Sequence, residues 1–109
     1  MPKLILQGIA ASGGSARGKV KIIHTTDDSS SFQEGDILVA RITDPTMVAI
    51  MAKSAAIVCD VGRITSHPSI VSRELGIPCI VNTQKGTEML RDGMEVFVDG
   101  DKGEVYLEE

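Results

Sequence analysis

The chain has 109 residues, 42% of them hydrophobic, with a net charge of −4 and only three aromatic side chains. That length supports one compact domain over residues 1–109, and no apolar run reaches the ~20 residues of a membrane-spanning helix. An acidic balance with no basic block and no stacking platforms excludes nucleic acid as a partner.

The start, Met1-Pro2-Lys3 and a short apolar stretch, lacks the form of a signal peptide, so a cytoplasmic location is expected. Leu4-Ile5-Leu6 ends in Gly8, and Ser12 to Gly18 reads as a glycine loop before a strand over Lys19 to Ile23. Asp27 to Ser31 is polar and turn-like, Glu34-Gly35-Asp36 is a tight turn, and Ile37 to Ala40 is apolar enough for a central strand. Thr43 or Asp44 then caps a helix with Pro45 in its first turn, and Met47, Val48, Ile50 and Met51 recur at helical spacing up to Lys53. The methionines belong to the core.

Ala55 to Cys59 is a buried strand, and the loop Asp60 to Ser66 leads into a helix that begins at His67 and stops at Gly76. Cys79 to Val81 is a further buried strand, Thr87 to Arg91 a short helix, and Glu95 to Asp99 and Glu104 to Leu107 are strands joined by a turn. Cys59 and Cys79 lie inside apolar runs, so buried free thiols are expected. Alternating strand and helix through the middle implies parallel pairing, and turn-linked pairs at both ends imply antiparallel hairpins. The expected class is α/β, a mixed sheet or barrel-like core flanked by two or three helices.

His67 carries the chemistry. Thr65 or Ser66 caps its helix, and Pro68 fits the first turn, where its missing N–H has no partner to lose. Unpaired N–H groups and the macrodipole, worth roughly 0.3–1 kcal/mol at an exposed site, favour an anion there. Neutral imidazole, with an ordinary pKa near ~6.5, is a nucleophile at pH 7 and later a good leaving group. Set alone, a histidine is more often a cap or a packed side chain. Ser66 as a hydrolase nucleophile lacks the Gly-x-Ser-x-Gly elbow, His24 has no metal-ligand neighbours in sequence, and the glycine loop lacks the Gly-Lys-Ser/Thr ending of a nucleotide loop.

The run Gly62, Thr65, Ser66, His67, Ile70, Arg73 and Pro78 resembles the signature Gly-Gly-x-Thr-Ser-His-x-x-Ile-x-x-Arg-x-x-x-x-Pro of the phosphohistidine domain of phosphoenolpyruvate-utilising enzymes. These are pyruvate phosphate dikinase, phosphoenolpyruvate synthase and Enzyme I of the sugar phosphotransferase system. Ala11 to Gly18, Gly35 to Val39 with Thr43-Asp44-Pro45, Asp92-Gly93 and Val98 to Gly100 extend the resemblance along nearly the whole chain. Gly13, Arg63 and Pro68-Ser69 depart from the family's usual proline, glycine and paired small residues.

The resemblance implies a β/β/α swivelling domain in which His67 is transiently phosphorylated. Thr65 and Ser66 are then hydroxyl donors to the phosphate or the imidazole. Arg73 reaches back to the phosphoryl oxygens or pairs with Glu74, and Arg63 pairs with the phosphoryl group or faces solvent. Gly62, Ser12 and Gly14 are expected as phosphate-binding support. The domain binds no cofactor or metal of its own; ATP or phosphoenolpyruvate with Mg2+ belongs to partner phosphotransferase subunits, a nucleotide-grasp domain, a phosphoenolpyruvate/pyruvate barrel, or both. The chain is expected to be a subunit, a stand-alone carrier or an excised domain, incomplete as an enzyme. The alternative is a non-catalytic interaction or regulatory module that keeps the fold.

Overall fold

The computed structural model describes residues 2–24 and 30–108. Of the turn expected from Asp27 to Ser31, residues 27–29 lie outside that set. The strands are β1 (Lys3–Gln7), β2 (Ile9–Ser12), β3 (Ser15–Ile22), β4 (Ile37–Ala40), β5 (Ala56–Cys59), β6 (Cys79–Val81), β7 (Glu95–Asp99) and β8 (Glu104–Leu107). The α-helices are α1 (Val48–Lys53), entered through a 3₁₀ turn at Pro45–Met47, α2 (His67–Leu75) and α3 (Gly86–Met89).

One sheet runs in the order β1-β8-β7-β3-β4-β5-β6-β2. Strands β3 to β6 are mutually parallel, because the β4–β5 and β5–β6 connections each return through a helix. The remaining pairings are antiparallel. β3 joins the two halves: Ser15 to Lys19 pair with β7, and Val20 to Ile22 pair with β4. This is the expected mixed α/β fold with three helices.

Every residue of β4, β5 and β6 is buried, and alternation sends their side chains into two cores. Leu38, Ala40, Ile57, Cys59, Cys79 and Val81 face Met47, Ile50, Met51 and Val71 of the helical layer. Ile37, Val39, Ala56, Val58 and Ile80 face Leu90 and the inner residues Leu6, Val96, Val98 and Val105 of the antiparallel half. Met47 and Met51 are core, as their spacing indicates. Both cysteines are free and fully buried. Burial pushes the Cys59 thiol well up, and burial pushes Cys79 up to about 11. No helix among the described residues is long and apolar enough to cross a membrane.

The N-terminal end departs from the expected hairpin. β1 pairs with β8 and β2 with β6, so strands joined by Gly8 alone occupy opposite edges of the sheet. The sheet therefore curls until its edges meet at that residue, where Gly8 N donates to Gly103 O at 2.9 Å. The loop expected over Ser12 to Gly18 shortens to Gly13-Gly14, because ladder pairing with Cys79 and Asp99 holds Ser12 and Ser15 in strands. A Cβ at Gly8 would stand 2.5 Å from Val81 O and 2.9 Å from Ile80 and Thr83 methyl carbons. Backbone on one side of the clash cannot yield cheaply. Gly8→Ala is expected to lower the unfolding free energy by about 1–3 kcal/mol in urea titration, and a loss under ~0.5 kcal/mol would show that the closure is slack.

Candidate functional site

The site forms where the parallel strands end. Beyond β4 and β5 the ladder continues for two bonds, Asp60 N to Ala40 O and Val61 N to Arg41 O, both 3.1 Å, so the loops after the two strands run side by side. Asp60 fixes the base of its loop: its carboxylate accepts from Thr87 N at 2.8 Å and Thr87 Oγ1 at 2.5 Å. Gly62 then turns the chain at φ 131°, and a Cβ there would touch Val81 and Ser66 at 3.3–3.5 Å. Only glycine takes that backbone conformation freely.

Residues 63–66 close on themselves. Ser66 N donates to Arg63 O at 3.0 Å, Arg63 N donates to Ser66 Oγ at 2.7 Å, and buried Ser69 Oγ donates to Arg63 O at 2.7 Å. Ser66 stands at the N-cap with extended backbone, and its carbonyl accepts from Ile70 N at 3.0 Å, but its hydroxyl makes no cap bond. The expectation of a side-chain cap fails because the Arg63 amide takes that oxygen, and Thr65, outside the cap, is exposed. The first-turn N–H groups of α2 are thereby left without a side-chain acceptor. Gly76 ends the helix in the left-handed conformation, with Ile77 N on Ser72 O at 2.9 Å.

His67 is half-buried at the first position of α2. Its Nδ1 lies 2.8 Å from Thr43 Oγ1, and Thr43 is only 4% exposed. The bond engages Nδ1 and leaves Nε2 as the other ring nitrogen. Asp44, the next residue, caps the 3₁₀ turn through Thr46 N at 2.8 Å and through the Thr46 hydroxyl. The Thr46 hydroxyl, then its N–H, hold the Asp44 carboxyl below the usual carboxylate range, with a smaller contribution from the nearby His67. Of the two candidate caps, Asp44 therefore serves the helix and Thr43 the histidine.

Arg73 does reach back along the helix. Nε donates to Ser69 O at 3.0 Å and the guanidinium donates to Ile64 O, which fastens α2 to the loop; Glu74 is not its partner. Arg63 has an exposed side chain and contributes through its backbone. It lines a cleft of ≈ 690 Å³ beside the loop with Ile9, Ile42, Val61, Gly62, Ile64, Ser66 and Asn82. A second cleft of ≈ 550 Å³, on the antiparallel half, carries the surface ion pair Arg17–Glu108 and no nucleophile.

Ser12 and Gly14 are not brought to His67. Ser12 pairs with Cys79 at the start of β6, whereas Gly62 sits against Val81 at its end, about 7 Å away by strand rise. Gly14 N donates to Asp101 Oδ1 at 3.1 Å and Gly14 O accepts from Gly100 N at 2.7 Å, so this turn packs on the β7–β8 hairpin. The residue missed from sequence is Thr43. Its signal is topological: it lies three residues past the end of β4, as Gly62 lies three past β5, and ligands of open α/β sheets gather at those ends. Among the described residues, no cluster of three or more His, Cys, Asp or Glu is placed to hold a metal ion.

Fold and site together define a domain with a half-buried histidine where a loop enters a helix beside a mixed sheet, and comparison with known proteins gives that class its family. The model of the PEP-utilising enzyme mobile domain matches residues 32–103. The chain belongs to the mobile-domain family of phosphoenolpyruvate-utilising enzymes, in agreement with the resemblance read from its residues. It is 53% identical over 104 residues to a probable phosphoenolpyruvate synthase of Archaeoglobus fulgidus and 50% identical over 104 residues to the phosphoenolpyruvate synthase of Pyrococcus furiosus. Each alignment covers 95% of this chain but only 14% and 13% of those relatives. A solved structure of Enzyme I superposes with a TM-score of 0.61 at 32% identity, over 72% of this chain and 32% of that one. Aconitase X of Thermococcus kodakaraensis superposes at 0.72 with 22% identity, over 95% of this chain and 98% of that one, and shares the fold alone.

The Thr43 contact has a direct spectroscopic consequence. With Thr43 Oγ1 accepting from Nδ1–H, nitrogen NMR of imidazole-labelled protein above pH 8 should show His67 Nε2 as the unprotonated ring nitrogen, and Thr43→Val should erase that preference. Protonated Nε2 in the wild type would reverse the direction of the bond.

Proposed function

We propose that this chain is a phosphoryl carrier that accepts a phosphoryl group on His67 Nε2 from one partner domain and passes it to an acceptor on another. The observation that carries the reading is the 2.8 Å Thr43–His67 bond at the mouth of α2. It occupies Nδ1 and turns the other ring nitrogen into the nucleophile.

In the transfer step the Nε2 lone pair attacks phosphorus, an N–P bond forms, and the P–O bond to the donor breaks with its electron pair leaving on the donor oxygen. The ring keeps its Nδ1 proton and becomes a phosphoimidazolium, whose positive charge Thr43 Oγ1 meets by accepting that hydrogen bond. The second transfer reverses these bonds: the N–P bond breaks, its electrons return to Nε2, and the acceptor oxygen takes the phosphoryl group. The first-turn N–H groups of α2 and the exposed Thr65 hydroxyl supply donors for the phosphoryl oxygens. Arg73 acts as a positioning residue, holding Ile64 and Ser69 carbonyls so that the loop keeps its shape.

Donor and acceptor belong elsewhere. A nucleotide-grasp domain with ATP and Mg2+, or a phosphoenolpyruvate/pyruvate barrel with its metal, fits the role of partner, in keeping with the synthase relatives, of which this chain spans about one seventh.

The test uses ATP labelled at its β and γ phosphates, or labelled phosphoenolpyruvate, with extract of the source organism. The wild-type chain should gain acid-labile, base-stable label, His67→Ala none, and Thr43→Val label at a rate lower by about tenfold, some 1.4 kcal/mol of barrier. A folded wild-type chain that takes no label from either donor would sink the carrier reading.

A further inference from the structure

Of the loops that leave the C-terminal ends of β4, β5 and β6, the one after β6 has no task in the carrier reading. It holds Asn82 at φ 58° and Gln84 at φ 69°, the two non-glycine residues with left-handed backbone among the described residues. Residues other than glycine rarely take that conformation, and it persists where surrounding bonds over-determine it. Here five bonds do so. Thr83 N and Oγ1 donate to Cys59 O at 3.2 and 2.9 Å, Gln84 N donates to Asp60 O at 2.7 Å, and Thr87 N and Oγ1 donate to the Asp60 carboxylate. The loop is thereby pinned beside residues 60–66, with Asn82 in the wall of the ≈ 690 Å³ cleft that Gly62, Arg63 and Ser66 also line.

Three donors in that wall are uncommitted. Among the described residues the Arg63 guanidinium and the Asn82 side-chain amide have no hydrogen-bond partner, and Ser66 Oγ accepts from Arg63 N without an acceptor for its own proton. Arg63 supplies the only charge in the wall, whereas each cleft of the antiparallel half contains carboxylates, Glu95 and Glu108 in one, Asp99 and Glu108 in the other. Three donors, one cation and no carboxylate suit an anionic oxygen group. His67 follows Ser66 directly but is not part of the wall, so an anion held there sits beside the reacting ring rather than on it.

Resting on the carrier reading, we propose that this cleft is a subsite for an anionic group of the phosphoryl donor that is not itself transferred, a carboxylate or a further phosphate, with Arg63 and Asn82 as its contact residues. The N–P bond still forms at Nε2, the P–O bond breaks, and the electron pair leaves on the donor oxygen. Arg63 and Asn82 hold the remainder of the donor during this step, which keeps phosphorus aligned with the ring. A side-chain amide needed at position 82 explains why asparagine, rather than the cheaper glycine, takes a left-handed position there.

Asn82→Gly tests the side chain without disturbing the backbone, because glycine takes φ 58° freely. Arg63→Gln removes the charge and keeps the Arg63 amide and carbonyl in the loop. Each labelling rate with phosphoenolpyruvate or ATP and extract of the source organism is divided by the rate with phosphoramidate, which carries neither a carboxylate nor a second phosphate. For both variants this ratio should fall at least about fivefold below wild type at low donor concentration and recover as donor is raised, since the loss is one of donor binding. Gln84→Gly, in the same loop but outside the cleft wall, should keep the wild-type ratio. A fall with phosphoenolpyruvate identifies the held group as a carboxylate, and a fall with ATP as a phosphate. An unchanged ratio for Asn82→Gly would leave that residue a backbone role only, and a fall that added donor does not reverse would place the defect outside donor binding; either overturns the proposal. A wild-type chain labelled by phosphoramidate but by neither donor would instead refute the carrier reading, and the subsite with it.

Discussion

Parallel pairing of β4 with β5 is the constraint from which the site follows. In-register parallel strands must end side by side, and here the ladder runs on through Asp60 and Val61 before the chains separate. One chain then turns at Gly62 into α2, and the other passes Thr43 into the 3₁₀ turn. His67 and Thr43 are 24 residues apart in sequence, yet that pairing brings the segments that carry them side by side. The buried strands beneath it, apolar on both faces, make the platform rigid.

Above this platform the loop is held by its own backbone. Arg63, Ser66 and Ser69 exchange three hydrogen bonds, and Arg73 adds two to carbonyls of Ser69 and Ile64. A typical intramolecular hydrogen bond contributes about 1 kcal/mol net, so the set is enough to fix a short loop without a cap from Ser66. The division of labour suits a carrier: side chains that could have bound phosphate directly are spent on shape, and the helix N-terminus is kept open for an incoming anion. In the proposed carrier role, modest attraction there is enough to stabilise a phosphoryl group while leaving the N–P bond free to transfer.

Much of this was legible in the chain. Continuous apolar runs at Ile37 to Ala40 and Cys79 to Val81 read directly as buried strands, because a parallel strand covered on both faces has no polar side to alternate. Pro68 and Gly76 bounded α2 to the residue, since one lacks an N–H and the other takes a left-handed cap. What stayed hidden depends on contacts distant in sequence. Nothing local says that β1 and β2, one glycine apart, go to opposite edges. Thr43 and Asp44 are both good caps by type, and only tertiary placement gives the first to His67. The family resemblance implies phosphate support from Ser12 and Gly14, whereas strand register carries them to the far end of β6.

The central claim is that Thr43 holds Nδ1 so that Nε2 is the atom that carries phosphate. It is tested most directly by the nitrogen–phosphorus scalar coupling of the phosphorylated, imidazole-labelled chain. The account predicts one coupled nitrogen, His67 Nε2, with Nδ1 still protonated. Coupling to Nδ1, or to a ring other than His67, would contradict it.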